Sequence, residues 1–303
     1  MASHLVLDEF SDGKPDNSYA NHSIYLDSYD FRIYWDVVNS NKNRYKLRMR
    51  YYDDNPEGPV FFELKRRVND AILKQRCPVR REAVPLLLAG QLPEPRHLIS
   101  NQPKHLTALQ TFSRLMQDNQ AVPKTHVAYL REAWVSPADN SVRVTLDRQV
   151  WGAPHLTGEI TTKIENYAAA FEPDVILELK FTGRYPVWFG ELVRVFGARQ
   201  CGAAKYADHV AVLGQHRLGG AYMPFAGEDA VERLLRRHAL RADPAPSHVI
   251  AEPQKTGKPA ETDSPILANN LSPSDGARSR SQAPASPNET SPRTIGSSPC
   301  PTS

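Results

Sequence analysis

The stretch Arg44-Tyr-Lys-Leu-Arg-Met-Arg-Tyr-Tyr52 alternates cationic and apolar side chains along most of its length. Because successive side chains of a β-strand point to opposite faces of a sheet, the pattern predicts a strand with one cationic face and one apolar face. The cationic face carries Arg44, Lys46, Arg48 and Arg50. Like charges at neighbouring positions repel one another. We therefore expect this face to lie in water or to surround a bound anion.

Four later segments, 61–67, 72–76, 142–148 and 175–181, repeat this alternation. The polar residues that share a face in them are Glu63, Lys65 and Arg67, then Lys74 and Arg76, then Arg143, Thr145 and Asp147, and finally Glu178 and Lys180. A single strand of this kind usually belongs to a sheet with one solvated side. Here cations dominate the polar faces of several strands, which favours a surface that binds polyphosphate.

The overall composition places limits on such a site. The chain has 303 residues and a net charge of only +3, so binding of a polyanion requires a local concentration of cations. Three cysteines lie far apart without a CxxC pair, which argues against a disulfide framework or a zinc site. No apolar run reaches the ~20 residues of a membrane helix, and the N-terminus lacks the layout of a signal peptide. We expect a soluble, cytoplasmic protein without a transmembrane segment.

The chain reads as a meander of strands followed by alternating helices and strands. Strands are predicted at 23–27, 31–35, 44–52, 59–67, 71–77, 124–135, 141–150 and 174–181. Helices are predicted at 80–89, 103–117, 186–196, 203–213 and 228–239. Residues 1–20 are expected to form an irregular segment, 21–242 a single domain, and 243–303, rich in proline and serine, a disordered tail.

The strands and helices together suggest a curved sheet. Helices can cover the apolar outside of a curved antiparallel sheet, and the charged faces then line its inside. A polar lining of this kind needs a bound anion, a metal or water to satisfy it. The alternative is a flat sheet with one solvated face.

The order of the charged segments is more specific than any one of them. The segments are Ser23-Ile-Tyr-Leu-Asp27, the stretch 44–52, Phe61-Phe-Glu-Leu-Lys65, Leu73-Lys-Gln-Arg76, Tyr129-Leu-Arg-Glu-Ala-Trp134, Val142-Arg-Val-Thr-Leu-Asp147, Leu177-Glu-Leu-Lys-Phe181 and Ala204-Lys-Tyr206. In this order they resemble the VTC domain, the polyphosphate polymerase branch of the triphosphate tunnel enzymes, over about residues 20–212. The resemblance implies an α+β fold with a tunnel of eight antiparallel strands and helices packed outside. It also implies that the terminal phosphate of ATP is transferred to a growing polyphosphate chain with a divalent metal, Mn²⁺ or Mg²⁺.

Carried over motif by motif, the resemblance assigns roles to individual residues. The implied catalytic phosphate ligands are Arg48, Arg50, Lys65, Lys74, Arg131 and Arg143. The implied further phosphate contacts are Lys205, Lys180 and Arg76, and the implied metal ligands are Glu178 and Glu63. Three alternatives stay open: an arginine partner for Glu63, a salt bridge from Glu178 to Lys180, and a pairing of Arg76 with Asp147.

One feature of the family has no counterpart here. Its opening strand, of the form Tyr-Glu-Leu-Lys, supplies a phosphate-binding lysine, and residues 1–20 contain no match to it, so we expect that strand to be missing. Two other functions therefore remain open: a hydrolase of tripolyphosphate or nucleoside triphosphates, and a non-catalytic module that binds phosphate and regulates a partner, such as a membrane protein. The expected ligands are ATP and inorganic polyphosphate, and nucleic acid is not expected.

Overall fold

The computed structural model describes residues 1–69, 71–139, 141–219 and, for the backbone alone, 248–249. All of these belong to one unit, Met1–Thr256, and the second unit, Gly257–Ser303, contains none of them. The predicted helix at 228–239 and all of the predicted tail except 248–249 lie outside the described residues. No helix in the described part of the chain is long and apolar enough to cross a membrane.

The main sheet is antiparallel and contains eight strands within the described residues. They are β1 (Val6–Leu7), β2 (Tyr19–Asp27), β3 (Asn43–Tyr51), β4 (Val60–Val68), β5 (Ala71–Val79), β6 (Val122–Val135), β7 (Val142–Pro154) and β9 (Ile176–Phe181). Their order is β5-β4-β3-β2-β6-β7-β9, and β1 pairs with the end of β6. A separate pair consists of β8 (Lys163–Ile164) and β10 (His248–Val249).

Five α-helices and three short 3₁₀ turns accompany the strands in the described residues. The helices are α1 (Arg32–Val38), α2 (Val84–Leu88), α3 (Pro103–Asp118), α4 (Val187–Val195) and α5 (Lys205–Leu213). The 3₁₀ turns are Arg81–Ala83, Pro95–His97 and Gln215–Leu218. The helix predicted at 80–89 is thus divided into a 3₁₀ turn and α2, whereas those predicted at 103–117, 186–196 and 203–213 are present.

The sheet is strongly curled. Lys65 on β4 and Glu178 on β9 are five strands apart in the sheet order, which would separate them by about 24 Å if the sheet were flat. Burial lowers the pKa of Lys65, and the Glu178 carboxylate opposes that shift, so the two side chains lie near each other. The charged faces of distant strands therefore face one another across a half-barrel.

Helices cover both surfaces of the half-barrel. On the convex surface, Phe112 of α3 packs against Phe62 of β4 with ring centroids 4.8 Å apart, and Phe189 of α4 packs with Val144 of β7. On the concave surface, the Tyr206 ring of α5 stacks on Tyr25 of β2 at 5.1 Å. The contacts of α3 and α5 belong to one large hydrophobic cluster and those of α4 to a separate, smaller one, and α5 covers part of the charged interior.

Residues 31–35 do not form the predicted strand, because helix α1 occupies this segment. The Asp27 carboxylate accepts hydrogen bonds from the backbone N–H groups of Ile33 (3.0 Å) and Tyr34 (2.8 Å). Those groups lie in the first turn and have no acceptor within the helix. Asp27 therefore caps α1 from the end of β2, and this interaction selects a helix for a segment whose side chains alternate as in a strand.

The predicted α+β fold, with an antiparallel barrel-like sheet and helices packed outside it, is confirmed. Two details differ from the expectation. Helix α5 lies inside rather than outside, and the two edge strands, β5 and β9, are not paired with each other within the described residues. Residues 1–20, expected to be irregular, contain β1 and the beginning of β2.

Candidate functional site

The concave face of the half-barrel carries far more cations than carboxylates. Register pairing and ion pairs place on it the cations Lys46, Arg48, Arg50, Lys65, Lys74, Arg76, Arg131, Arg143, Lys180 and Lys205. The carboxylates on the same face include Asp8, Asp27, Glu63, Asp147 and Glu178. The excess positive charge must be balanced by anions from solution. All eleven residues that the sequence assigned to the site lie on this face.

Three lysines form a row across neighbouring strands. Lys46 of β3 stands opposite Lys65 of β4, and Lys65 stands opposite Lys74 of β5. Burial lowers the pKa of each of them and outweighs the opposing effects of Tyr25 at Lys46, Glu178 at Lys65 and Glu63 at Lys74, and neighbouring cations lower each pKa further. Because like charges directly opposite each other destabilise a sheet, this lysine row favours a ligand that brings negative charge between the strands.

The next row along these strands is organised by Glu63, whose side chain is only 1% exposed. One of its oxygens accepts a hydrogen bond from Arg48 at 2.7 Å, and the other lies 3.0 Å from Lys74 and 3.3 Å from Arg76. Burial raises the pKa of Glu63, but the surrounding cations outweigh burial and lower the pKa to about 2. Glu63 thus stays ionised and holds three cations in place.

Two arginines of β3 also contact tyrosine hydroxyls. Arg48 donates to Tyr25 at 3.2 Å, and Arg50 donates to Tyr129 at 2.9 Å and to Ser23 at 3.3 Å. Burial raises the pKa of Tyr25, but Arg48 and nearby cations outweigh burial and lower it to about 8. These neutral partners fix the guanidinium groups without neutralising their charge, so the arginines remain able to bind anions.

A second buried carboxylate, Asp147 of β7, organises the other side of the concave face. Arg131 binds it through two hydrogen bonds of 2.6 and 2.8 Å, and Lys205 of α5 lies 2.8 Å from it. Burial raises the pKa of Asp147, but the bonds from Arg131 and Lys205 outweigh burial and lower it. Both cations also lie over the Tyr129 ring, at 5.3 and 4.9 Å. Asp147 therefore connects the sheet to α5.

The remaining members of the site lie near β9 and the N-terminal segment. Glu178 forms an ion pair with Lys180 at 3.0 Å and lies 3.9 Å from Arg131. Arg143 is held by Asp8, which precedes β2, at 2.8 Å. The salt bridge from Glu178 to Lys180 that the sequence left open is thus present. Sequence reasoning missed Asp8, because nothing in the period-two pattern connects it with β7.

The carboxylates of this face are the groups that could bind a divalent metal. Both oxygens of Glu63 and both oxygens of Asp147 contact cations, and the described residues contain no group of three or more acidic, histidine or cysteine side chains that could hold a metal. Mg²⁺ is commonly held by one or two carboxylates together with phosphate oxygens. Within the described residues, the protein side chains of this face therefore do not form a complete metal site, and a metal bound here would need phosphate oxygens as further ligands.

The structure shows the ion-pair partners of Glu63 and Arg76. Glu63 forms an ion pair with Arg48, which is the arginine partner that the sequence left open. Arg76 forms an ion pair with Glu63 and not with Asp147. Sequence reasoning did not assign Tyr25 or Tyr129 to the site. The period-two pattern could have placed both tyrosines on the charged face. Tyr25 precedes Asp27 by two residues on β2, and Tyr129 precedes Arg131 by two residues on β6.

Comparisons with known proteins are consistent with this geometry. The sequence profile of the VTC domain family matches residues 1–214. Vacuolar transporter chaperone complex subunit 2 of Schizosaccharomyces pombe is 25% identical over 131 residues, which are 41% of this chain but only 18% of that protein. The chain therefore matches a small part of that relative.

Two solved structures resemble the chain more distantly. A Bacillus halodurans protein named a "putative adenylate cyclase" gives a TM-score of 0.36 at 14% identity and covers 66% of this chain and 90% of its own. The PH1819 protein of Pyrococcus horikoshii OT3 gives a TM-score of 0.25 at 12% identity and covers 59% of this chain and 72% of its own.

Proposed function

Because the chain belongs to the VTC domain family, we propose that its concave face binds inorganic polyphosphate and ATP. The match to residues 1–214 confirms the resemblance drawn from the sequence. We further propose that the protein transfers the terminal phosphate of ATP to the growing end of a polyphosphate chain. The observation that carries the proposal is the large excess of cations over carboxylates on one curled face.

The arginines and lysines of the site suit different parts of this task. Arg48 and Arg50 offer forked donors that match phosphate oxygens, and their bonds to Glu63, Tyr25 and Tyr129 hold them in position before the ligand arrives. Lys65 and Lys74 act as point charges at the more exposed end of the face. Phosphoryl transfer needs mainly such positioning and charge stabilisation, and the terminal oxygen of the acceptor chain is the nucleophile.

A divalent metal, Mn²⁺ or Mg²⁺, completes the proposal. When bound, such an ion neutralises the phosphate oxygens that gain charge during transfer. Glu178 is the residue that would hold it. Burial raises the pKa of Glu178, but Lys180 outweighs burial and lowers it, so the carboxylate is ionised and able to act as a ligand at neutral pH.

A second candidate is a non-catalytic module that binds polyphosphate and regulates a partner protein, such as a membrane protein. Two observations favour it. Glu63 and Asp147 are occupied by cations, which leaves a single carboxylate for a metal. In addition, the similar Schizosaccharomyces pombe protein is named as a subunit of a complex. A cytoplasmic location fits both candidates and remains a prediction.

The two candidates differ in what happens to ATP. The purified protein is incubated with ATP and Mn²⁺, and the products are separated on a gel that resolves polyphosphate by length. A ladder of long polyphosphate supports the polymerase, whereas free phosphate alone indicates a hydrolase. Unchanged ATP together with measurable polyphosphate binding indicates the regulatory module.

The variant Arg48→Ala tests the site itself. We expect loss of tripolyphosphate binding with an intact fold, because Glu63 keeps Lys74 and Arg76 as partners. The matched control is Arg66→Ala, whose side chain lies on the opposite face of β4 and is exposed. Binding that is equally strong in both variants would contradict the assignment of the concave face.

A further inference from the structure

Four aromatic side chains form a continuous row at one end of the concave face. The ring of Phe10 lies 5.8 Å from that of Tyr19, Tyr19 lies 6.4 Å from Tyr52, and Tyr52 lies 6.0 Å from Phe61. Phe10 belongs to the N-terminal segment, Tyr19 to β2 and Phe61 to β4, and Tyr52 directly follows β3. We call these four residues the aromatic row.

The aromatic row adjoins the phosphate-binding cations. Phe61 stands directly opposite Arg50, and Tyr19 stands directly opposite Arg131. Glu63, which holds Arg48, follows Phe61 by two residues on the same face of β4, about 7 Å further along the strand. A ligand that rests on the row therefore has the arginines of β3 within reach.

Arg76 connects the two regions. Its guanidinium lies 3.5 Å from the centre of the Phe61 ring and donates a hydrogen bond to the Tyr52 hydroxyl at 3.2 Å, while its Nε lies 3.3 Å from Glu63. A guanidinium stacked on an aromatic ring offers a flat, cationic surface to another planar group. The sheet thus presents stacking surfaces directly beside an excess of positive charge.

The row is accessible to a ligand. Phe10 is 59% exposed, Tyr52 and Phe61 are only partly buried, and Tyr19, at 7% exposed, is the buried member that connects Phe10 to Tyr52. Tyr45 and Tyr51 do not belong to the row. They lie on the apolar face of β3 with Leu47 and Met49, whereas Tyr52 lies on the same side of the sheet as Arg50. An exposed phenylalanine at the open end of a charged cleft contributes little to the core, and it has the shape and polarity to contact an aromatic ligand.

We infer that the aromatic row is a subsite for the base of a nucleoside triphosphate. The inference rests on the proposed function, because the triphosphate is placed on Arg48, Arg50 and the lysine row. A nucleotide combines a planar aromatic base with a polyanion, and this face combines stacking surfaces with cations at matching positions. The row therefore distinguishes the nucleotide donor from inorganic polyphosphate, which has no base to stack.

Calorimetric titration of the full chain with ATP and, separately, with tripolyphosphate tests the subsite. We expect Phe10→Ala to weaken ATP binding about fivefold or more, as removal of one stacking side chain does, and to leave tripolyphosphate binding unchanged. Tyr52→Leu is the second variant, and we expect the same selective loss. The matched control is Phe196→Ala, which removes a phenylalanine of similar exposure, 56%, that follows α4 on the convex side.

The outcomes separate this inference from the proposed function. If Phe10→Ala and Tyr52→Leu weaken both ligands equally or neither ligand, the base subsite is overturned and the phosphate site stands. If the unaltered protein binds neither ATP nor tripolyphosphate, both proposals are overturned. Selective loss of ATP binding in these variants but not in Phe196→Ala supports the subsite.

Discussion

Glu63 and Asp147 are both almost fully buried carboxylates on the concave face, yet they hold very different partners. Glu63 binds three cations of the sheet, of which Lys74 is 47% exposed. Asp147 binds Arg131 and Lys205, which are 13% and 14% exposed. The Glu63 group is therefore open to solvent on its cationic side, whereas the Asp147 group is enclosed between the sheet and α5.

This difference divides the site into two parts with different tasks. The cations around Glu63 can turn toward an incoming phosphate chain while the carboxylate keeps them near it. The cations around Asp147 are held by short bonds and by the Tyr129 ring, and they attach α5 to the sheet. We expect substitutions of the cations in the first group to act mainly on binding, and substitutions of the cations in the second group to act mainly on stability.

Asp147→Asn should have the largest effect on stability. The change removes the buried carboxylate that Arg131 and Lys205 share and leaves the Glu178 carboxylate, 3.9 Å from Arg131, as a more distant counterion. Loss of one partner of a buried ion pair costs about 4 kcal/mol. Urea unfolding followed by circular dichroism measures the loss. The control is Asp118→Asn, at the exposed end of α3, and equal losses in the two variants would contradict the role of Asp147.

Glu63→Gln should have a smaller effect that depends on pH. The pKa of Glu63 is lowered from 4.5 to about 2, so its ionised form stabilises the fold above pH 4.5, and this contribution disappears as the pH falls toward 2. We expect a loss of about 3 kcal/mol at pH 7. Urea unfolding of both proteins from pH 7 down to pH 3 should show the difference shrinking.

The control for this titration is Glu94→Gln, which removes the carboxylate of an exposed ion pair with Arg96. It should change the free energy of unfolding little at any pH. A difference between Glu63→Gln and the unaltered protein that stays constant or grows on acidification would show that Glu63 is not stabilised as an anion.

Lys74→Met and Lys205→Met compare one cation from each group. Lys74 is half exposed, so we expect Lys74→Met to change stability by less than about 1 kcal/mol while it weakens tripolyphosphate binding. Lys205 is enclosed, and Lys205→Met should cost more stability because Asp147 then keeps only Arg131. Urea unfolding measures the free energy of unfolding of each variant, and calorimetric titration measures its affinity for tripolyphosphate. Equal losses of stability would remove the distinction between the two groups.

Asp8→Asn should give the smallest change, and in the opposite direction. Asp8 holds Arg143 at 2.8 Å and thereby competes with a phosphate ligand. Release of this arginine should strengthen tripolyphosphate binding about twofold, because a partly exposed ion pair contributes only a fraction of a kcal/mol. Asp16→Asn is the control, because it releases Arg148, which points to the convex side. An unchanged or weaker affinity in Asp8→Asn would indicate that Arg143 does not contact the ligand.

The charged strands could be predicted from the sequence because a period of two fixes the face of each side chain. Residues 44–51 of the stretch lie in β3, and Arg48, Arg50, Lys65 and Glu178 lie on the concave face of the sheet, as expected. The roles of these residues as phosphate or metal ligands stay predictions.

The pattern could not supply partners from distant parts of the chain. The bond from Asp8 to Arg143 and the capping of α1 by Asp27 depend on tertiary contacts, and the period-two pattern contains no sign of either. For α1 the alternation of side chains favoured a strand, and backbone hydrogen bonds to one carboxylate decided for a helix. The position of α5 inside the half-barrel likewise follows from Tyr206 and Lys205, each of which binds a carboxylate of a different strand.

The unpaired edges of β5 and β9 affect how a long ligand reaches the cations. In a closed cylinder a polymer must enter end first and slide along the bore, so a longer chain loads more slowly. Within the described residues β5 and β9 are not hydrogen-bonded to each other, so we expect an internal stretch of a polymer to enter the groove from the side, between these edges, where α5 does not cover it. On this expectation, the rate of loading would not depend on chain length, and a free terminus would not be required.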